Sequence, residues 1–335
     1  MQYVQWTDTS NLIAIGIAVT GIIMTIFTIS VFIQNNNTPV VRSSTKELSY
    51  MIMIGMLMAH CTTFLLLAKP TWETCLLVRI LPGLSFSIIF GCLVTKTNRI
   101  ARILAGSKKR IITKKLRFMS SFAQVVISSL IISVECAIIA TLLHYEPTEP
   151  RLEYPTRDQV FLVCPTSTLS LAAPLGFDLF LIFMCTVYAV KTRNIPENFN
   201  EAKFIGFTMY TTLVIWIAFI PIYIYSQIKI LTMCLSISLS AIVTLVIIYF
   251  PKLYIMIFKP EKNNRSQFTT AKNVRCHIGY VPTVGISRHS SHSTSDPDQN
   301  TVHTQIITTD SLVRRGLRYG SLIFRISAHF TFASQ

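Results

Sequence analysis

Seven apolar runs, each long enough to cross a bilayer, constrain this chain more than any other feature. They fall at roughly 12–33, 48–68, 75–94, 120–143, 167–190, 204–226 and 230–251. A hydrocarbon core of ~30 Å takes about 20 residues of helix, because a helix satisfies every backbone N–H and C=O within itself where no water is present. The expected fold is therefore an all-α membrane protein, a seven-transmembrane helix bundle with its termini on opposite sides. Composition agrees: 51% of the 335 residues are hydrophobic and 13% charged, and mean hydropathy is +0.51, values rare in a soluble domain. The formal charge of +15 would suggest nucleic acid in a soluble protein. Here the basic residues sit between apolar runs and in the tail, so membrane lipid is the expected anionic partner and nucleic acid is not.

Loop charge sets the expected orientation, since cytoplasmic loops are rich in Lys and Arg. The loop 95–119 holds Lys96, Arg99, Arg102, Lys108, Lys109, Arg110, Lys114, Lys115 and Arg117 and no acid, whereas 144–166 holds Glu146, Glu149, Glu153 and Asp158 against Arg151 and Arg157. The first is read as inside and the second as outside. Residues 1–11 then form an extracellular stub, 12–258 the seven-transmembrane domain, and 259–335 a largely disordered cytosolic tail with its Ser-rich stretch SRHSSHSTSDPDQN. Met1–Asn11 has no basic residue and carries Asp8, so no cleavable signal peptide is expected.

Eight cysteines are present, none in a C-x-x-C pair, which gives no support to a zinc or redox motif. Cys75 and Cys164 both fall at helix ends on the side read as extracellular, where oxidation persists, and are the best disulfide candidates. No H-E-x-x-H, G-x-S-x-G or P-loop occurs. No catalytic residues, metal or cofactor are expected.

Three ionisable residues, His60, Glu135 and Asp178, fall near mid-membrane, where an unpaired charge costs ~3 kcal/mol on insertion scales. The plain expectation for His60 and Glu135 is that each faces the bundle and is hydrogen-bonded. Asp178 is the sharper case, because Pro174 and Gly176 beside it open backbone and space for a ligand or ion. Phe86 with Phe90, and Trp216 with Phe219 and Tyr223, recur at intervals of three and four and so share helix faces, as core packing or as a pocket wall. Glu201 stands just before the sixth run, which contains Pro221, a plausible pivot. Glu201 and Trp216 lie roughly 22 Å apart along that helix.

Several stretches are specific enough to carry a family resemblance: QYVQW at 2–6, TPVVRSSTKELSY at 38–50, TKTNRIARIL at 95–104, CTVYAVKTRNIPENFNEAKFIGFTMYTT at 185–212, WIAFIPIY at 216–223 and FPKLYIMIFKPE at 250–261. Through them residues 1–258 resemble the transmembrane domain of class C G-protein-coupled receptors, most closely the metabotropic glutamate receptors. The resemblance implies a Cys75–Cys164 bridge and an ionic latch of Lys96 with Glu201, supported by Arg99 with Ser43 or Ser44. It implies an allosteric pocket for small molecules at Phe86, Phe90, Asp178, Trp216, Phe219 and Tyr223. It also implies contact with a heterotrimeric G protein through Lys108, Lys109, Arg110, Lys114, Lys115 and Lys252, location in the plasma membrane, and homo- or heterodimers with class C receptors.

Two departures stand out. Glu135 and Asp178 occupy positions where such relatives usually carry uncharged polar residues. The ligand-binding ectodomain of the family is not in this sequence, so a fragment or truncated product is expected, without the glutamate site. The leading expectation is a signalling receptor domain, and the alternative is a truncated, non-signalling dimerisation partner of full-length receptors. A transporter is disfavoured, because the seven runs show no repeated halves.

Overall fold

The computed structural model describes residues 9–108, 120–146, 148–156, 159–164, 167–191, 200–225 and 229–262. They contain eight helices: α1 (Thr9–Gln34), the short α2 (Pro39–Ser43), α3 (Lys46–Leu67), α4 (Trp72–Lys108), α5 (Ser121–Tyr145), α6 (Thr168–Lys191), α7 (Asn200–Tyr225) and α8 (Lys229–Phe258). A 3-10 turn, Pro260–Lys262, follows. Seven of these, all but α2, are long and apolar enough to cross a membrane. The expected all-α seven-helix architecture is therefore observed.

Helix ends follow local chemistry. Thr71 and Thr74 bond reciprocally at the start of α4, the hydroxyl of each accepting from the other's backbone N–H at 3.3 and 2.7 Å, which satisfies two donors that a helix start leaves open. The Ser120 hydroxyl caps α5 by accepting from Ala123 N at 3.2 Å. Pro39 opens α2, where a missing N–H costs nothing. Inside the spans, hydroxyls bond back to their own helix: Thr25 to Gly21 O, Thr97 to Leu93 O and Thr244 to Ser240 O, among others. That is how apolar helices carry Thr and Ser without an exposed polar atom.

The spans differ from the apolar runs mainly in length. The third run ends at Val94 by hydropathy, yet α4 continues to Lys108. The continuation, KTNRIARILAGSK, is rich in Lys, Arg, Ala, Leu and Ile, and most of these favour helix in water as well as in lipid. Pro82, Pro174, Pro221 and Pro251 all lie within helices that run on past them.

Between α5 and α6 the chain forms a hairpin, β1 (Arg151–Thr156) and β2 (Gln159–Val163), paired antiparallel with Arg151 opposite Val163 and Thr156 opposite Gln159, and an irregularity between Glu153 and Thr156. Pro155 lies in β1, tolerable because a two-stranded ribbon consists only of edges.

The core lies where α1, α3, α4, α6, α7 and α8 meet, around Phe32, Leu48, Met53, Met56, Phe86, Phe90, Ile182, Met209 and Tyr249. Hydroxyl pairs lock helices to each other: Thr63 with Ser238 at 2.9 Å joins α3 to α8, and Ser128 to Thr95 at 3.1 Å joins α5 to α4. Lys109, Arg110, Lys114 and Lys115, residues 192–199, residues 1–8 and the tail from 263 lie outside the described residues.

Candidate functional site

Glu201 stands in the first turn of α7, where an acid suits the partial positive charge of a helix N-terminus. Three groups converge on its Oε1: Lys252 Nζ of α8 at 2.6 Å, Ser44 Oγ at 3.0 Å and Lys96 Nζ of α4 at 3.3 Å. Lys96, with its side chain only 2% exposed, also donates to Ser49 Oγ at 2.8 Å and Ser44 Oγ at 3.3 Å. Lys252 donates to Ser44 Oγ at 2.5 Å. A serine hydroxyl has one proton to give and two lone pairs. Ser44 uses all three: it gives its proton to Glu201 and accepts from both lysines.

Backbone geometry delivers that hydroxyl. Ser44 and Thr45 alone link α2 to α3, and Thr45 turns the chain with φ 50°, left-handed backbone that is costly for a β-branched residue. Behind the cluster, Tyr249 of α8 donates to Ser49 O at 2.9 Å, stacks edge-on against Phe32 of α1 at 5.4 Å, and lies with its ring centroid 5.8 Å from Lys252 Nζ. The α2–α3 link, α4, α7 and α8 are thus tied at one end by two cations sharing one carboxylate. Removing one member of a buried pair costs about 3–5 kcal/mol, because the charge left behind is uncompensated.

Two of the expected latch residues stand apart from it. The Ser43 hydroxyl bonds its own helix at Val40 O, 2.9 Å away, and Arg99 Nε makes no hydrogen bond to a described residue. Consecutive residues at the end of a helix point about 100° apart, so only one of the Ser43–Ser44 pair can face Glu201. Lys252, expected among the G-protein contacts, lies inside the ion cluster with its side chain 12% exposed. The side chain of Lys108 lies outside what is described.

The expected pocket residues are brought together in part. Phe86 stacks on Phe90 at 5.5 Å and meets Trp216 edge-on at 5.2 Å. Trp216 meets Phe219, and Phe219 meets Tyr223, each at 5.2 Å. The five rings form a continuous aromatic wall between α4 and α7. Trp216 Nε1 and, one turn before it, Thr212 Oγ1 are buried without a hydrogen bond to a described residue. Asp178, on α6, is buried, and its Oδ1 bonds to no described residue.

His60 and Glu135 are fully buried, as expected, but neither is hydrogen-bonded to a described residue. The expectation of satisfied partners is corrected on both. His60 lies instead against the backbone of Gly21, where a Cβ would fall 2.3 Å from its Cε1. The ring occupies the space that the missing side chain leaves.

The opposite end of the bundle carries a second tie. Cys75 of α4 is disulfide-bonded to Cys164, just after β2. One turn further along α4, Arg79 donates to Glu146 Oε2 at 2.7 Å and to its carbonyl at 3.0 Å, and Ser167 donates to the same carboxylate. The ion pair is absent from the sequence reading, where Glu146 counted only as loop charge. Its signal is two opposite charges that close adjacent spans at one end.

Residues 4–252 match the family described as the 7 transmembrane sweet-taste receptor of 3 GCPR. The chain belongs to that family and contains the seven-helix domain of a class C G-protein-coupled receptor, a receptor rather than an enzyme. Among its relatives, it is 45% identical to a metabotropic glutamate receptor of Drosophila melanogaster, over 79% of this chain and 27% of that protein. It is 40% identical to the probable metabotropic glutamate receptor mgl-1 of Caenorhabditis elegans, over 99% of this chain and 33% of that one. The chain thus spans a third or less of the length of these relatives.

Proposed function

We propose that this bundle is the signalling domain of a metabotropic glutamate receptor-like protein of the plasma membrane, switching between two helix arrangements and activating a heterotrimeric G protein. The support is the ion cluster: Glu201 of α7 holds Lys96 of α4 and Lys252 of α8 together. A tie between three helices through one acceptor biases a two-state equilibrium strongly, since moving α7 breaks both pairs at once.

In this reading the Glu201 end faces the cytosol, and the basic segment with Lys108, Lys109, Arg110, Lys114 and Lys115 meets the G protein. Lys252 joins that contact once released from Glu201. The aromatic wall from Phe90 to Tyr223, with Asp178, is the allosteric pocket, and its ligand acts by shifting α7 against α4. Pairing with a second class C chain falls within the same proposal.

The experiment is nucleotide exchange on purified G protein with the full chain in nanodiscs. Loss of the cluster by Glu201→Gln is expected to raise basal exchange several-fold. Silence of both the native chain and every cluster variant refutes the proposal.

A further inference from the structure

Two membrane-embedded acids have no counterpart in the latch or the aromatic wall. Glu135 of α5 is fully buried and Asp178 of α6 is 2% exposed. Both oxygens of Glu135, and Oδ1 of Asp178, lack a hydrogen bond to any described residue. Glu135 Oε1 and Pro174, one turn before Asp178, converge on the same point of α4 at Gly83.

Their setting on α4 is built for them. A Cβ at Gly83 would lie 2.5 Å from Glu135 Oε1 and 3.0 Å from Pro174 Cβ, so α5 and α6 both press on this one point of α4. Asp178 follows Pro174 by one turn on the same face of α6, and Ser87 follows Gly83 by one turn on the same face of α4. Two turns along that face, a Cβ at Gly91 would meet Ile131 of α5 at 3.2 Å. Ser87 therefore lies between two positions that both touch α5, at the level of Asp178.

The Ser87 hydroxyl supplies the independent observation. It is fully buried and bonds to no described residue, whereas Thr95 and Thr97 on the same helix bond back to carbonyls of their own turn. Three buried side chains with unsatisfied oxygens thus fall within about one turn of Gly83, where α4, α5 and α6 meet. When both are ionised, neighbouring buried carboxyls repel in a low dielectric and accept without donating.

From this geometry we infer that Glu135, Asp178 and Ser87 form a site for a monovalent cation, either an alkali ion or the ammonium head of a small amine. A positive centre gives these oxygens a common partner and offsets the repulsion. The three side chains offer fewer oxygens than the six to eight that a calcium ion takes. The site stands independently of G-protein signalling, although Asp178 also belongs to the proposed pocket.

The test uses the full chain in phosphatidylcholine nanodiscs and reads the thermal unfolding midpoint. Sodium chloride, potassium chloride or methylammonium chloride replaces N-methyl-D-glucamine chloride at constant ionic strength. A saturable rise with at least one of them is expected, and the cation that acts identifies the source as alkali ion or amine. Glu135→Gln with Asp178→Asn, which keep the shapes, should abolish the rise. Ser87→Ala should weaken the apparent affinity by about tenfold, as loss of one bond to a charged group does. A midpoint insensitive to all three cations overturns the site and leaves a pair that shares a proton. So does an equal rise in the double variant. Should the double variant fail to fold, Ser87→Ala decides alone, and an unchanged affinity there overturns the site.

Discussion

Lys252 Nζ lies 2.6 Å from Glu201 Oε1, closer than Lys96 Nζ at 3.3 Å. The carboxylate is therefore shared between two lysines from different helices, and the two substitutions that break the cluster differ in cost. Glu201→Gln strands two ammonium groups, whereas Lys96→Met leaves Glu201 paired with Lys252. Glu201→Gln is expected to cost about 3–5 kcal/mol and Lys96→Met clearly less, as read from unfolding midpoints in nanodiscs. Equal losses would mean that Lys252 contributes nothing.

Charge reversal tests the same cluster through signalling. Glu201→Lys should raise basal nucleotide exchange, and Lys96→Glu added to it should restore silence only in part, because Lys252 then faces a lysine at position 201. Strictly additive effects of the two substitutions would show that they are not coupled.

Ser44 and Ser43 are adjacent and chemically identical, yet only Ser44 touches Glu201. Ser44→Ala should therefore raise basal exchange and lower stability by about 1–3 kcal/mol, the cost of buried groups left without their hydrogen bonds. Ser43→Ala should leave basal exchange unchanged. The paired comparison controls for any general effect on the α2–α3 link.

Gly21 and His60 form a knob in a hole between α1 and α3. Gly21→Val forces the imidazole out of its seat and should cost about 1–3 kcal/mol as overpacking, seen as a lower midpoint and reduced yield of folded protein. Gly16→Val is the control, since nothing lies within 4 Å of a Cβ there, and it should be neutral.

At the other end, Cys75→Ser with Cys164→Ser removes a cross-link that closes a sequence separation of 89 residues. Loss of about 2–4 kcal/mol is expected, less than the loop length alone would give, because spanning helices already restrict the unfolded chain. Arg79→Met should lower the midpoint further in the background without the disulfide, since Arg79 and Glu146 tie the same end by a separate contact.

The number and order of the spans were legible because hydropathy is recorded residue by residue, and a bilayer reads it in windows of about 20. Helix length beyond the bilayer was not: α4 runs on to Lys108 on helix propensity, which a hydropathy criterion ignores. Cys75 and Cys164 could be named as candidates from their place at helix ends. The serine partners of the latch came from a family resemblance, which offered Ser43 and Ser44 alike and placed Lys252 among the G-protein contacts.

The sequence by itself determined a seven-span helical membrane protein, its class C family likeness and the chemistry available at each depth. Only the tertiary structure decided which groups meet: Lys252 with Glu201, His60 with Gly21, Arg79 with Glu146, and Glu135 with Gly83. The physical reason is rotation about the helix axis. A helix in water advertises its buried face by a 3.6-residue alternation of apolar and polar residues, but one that is apolar on both its lipid and its protein faces carries little such period. Its facing is set by packing against neighbours, and that is a property of the bundle.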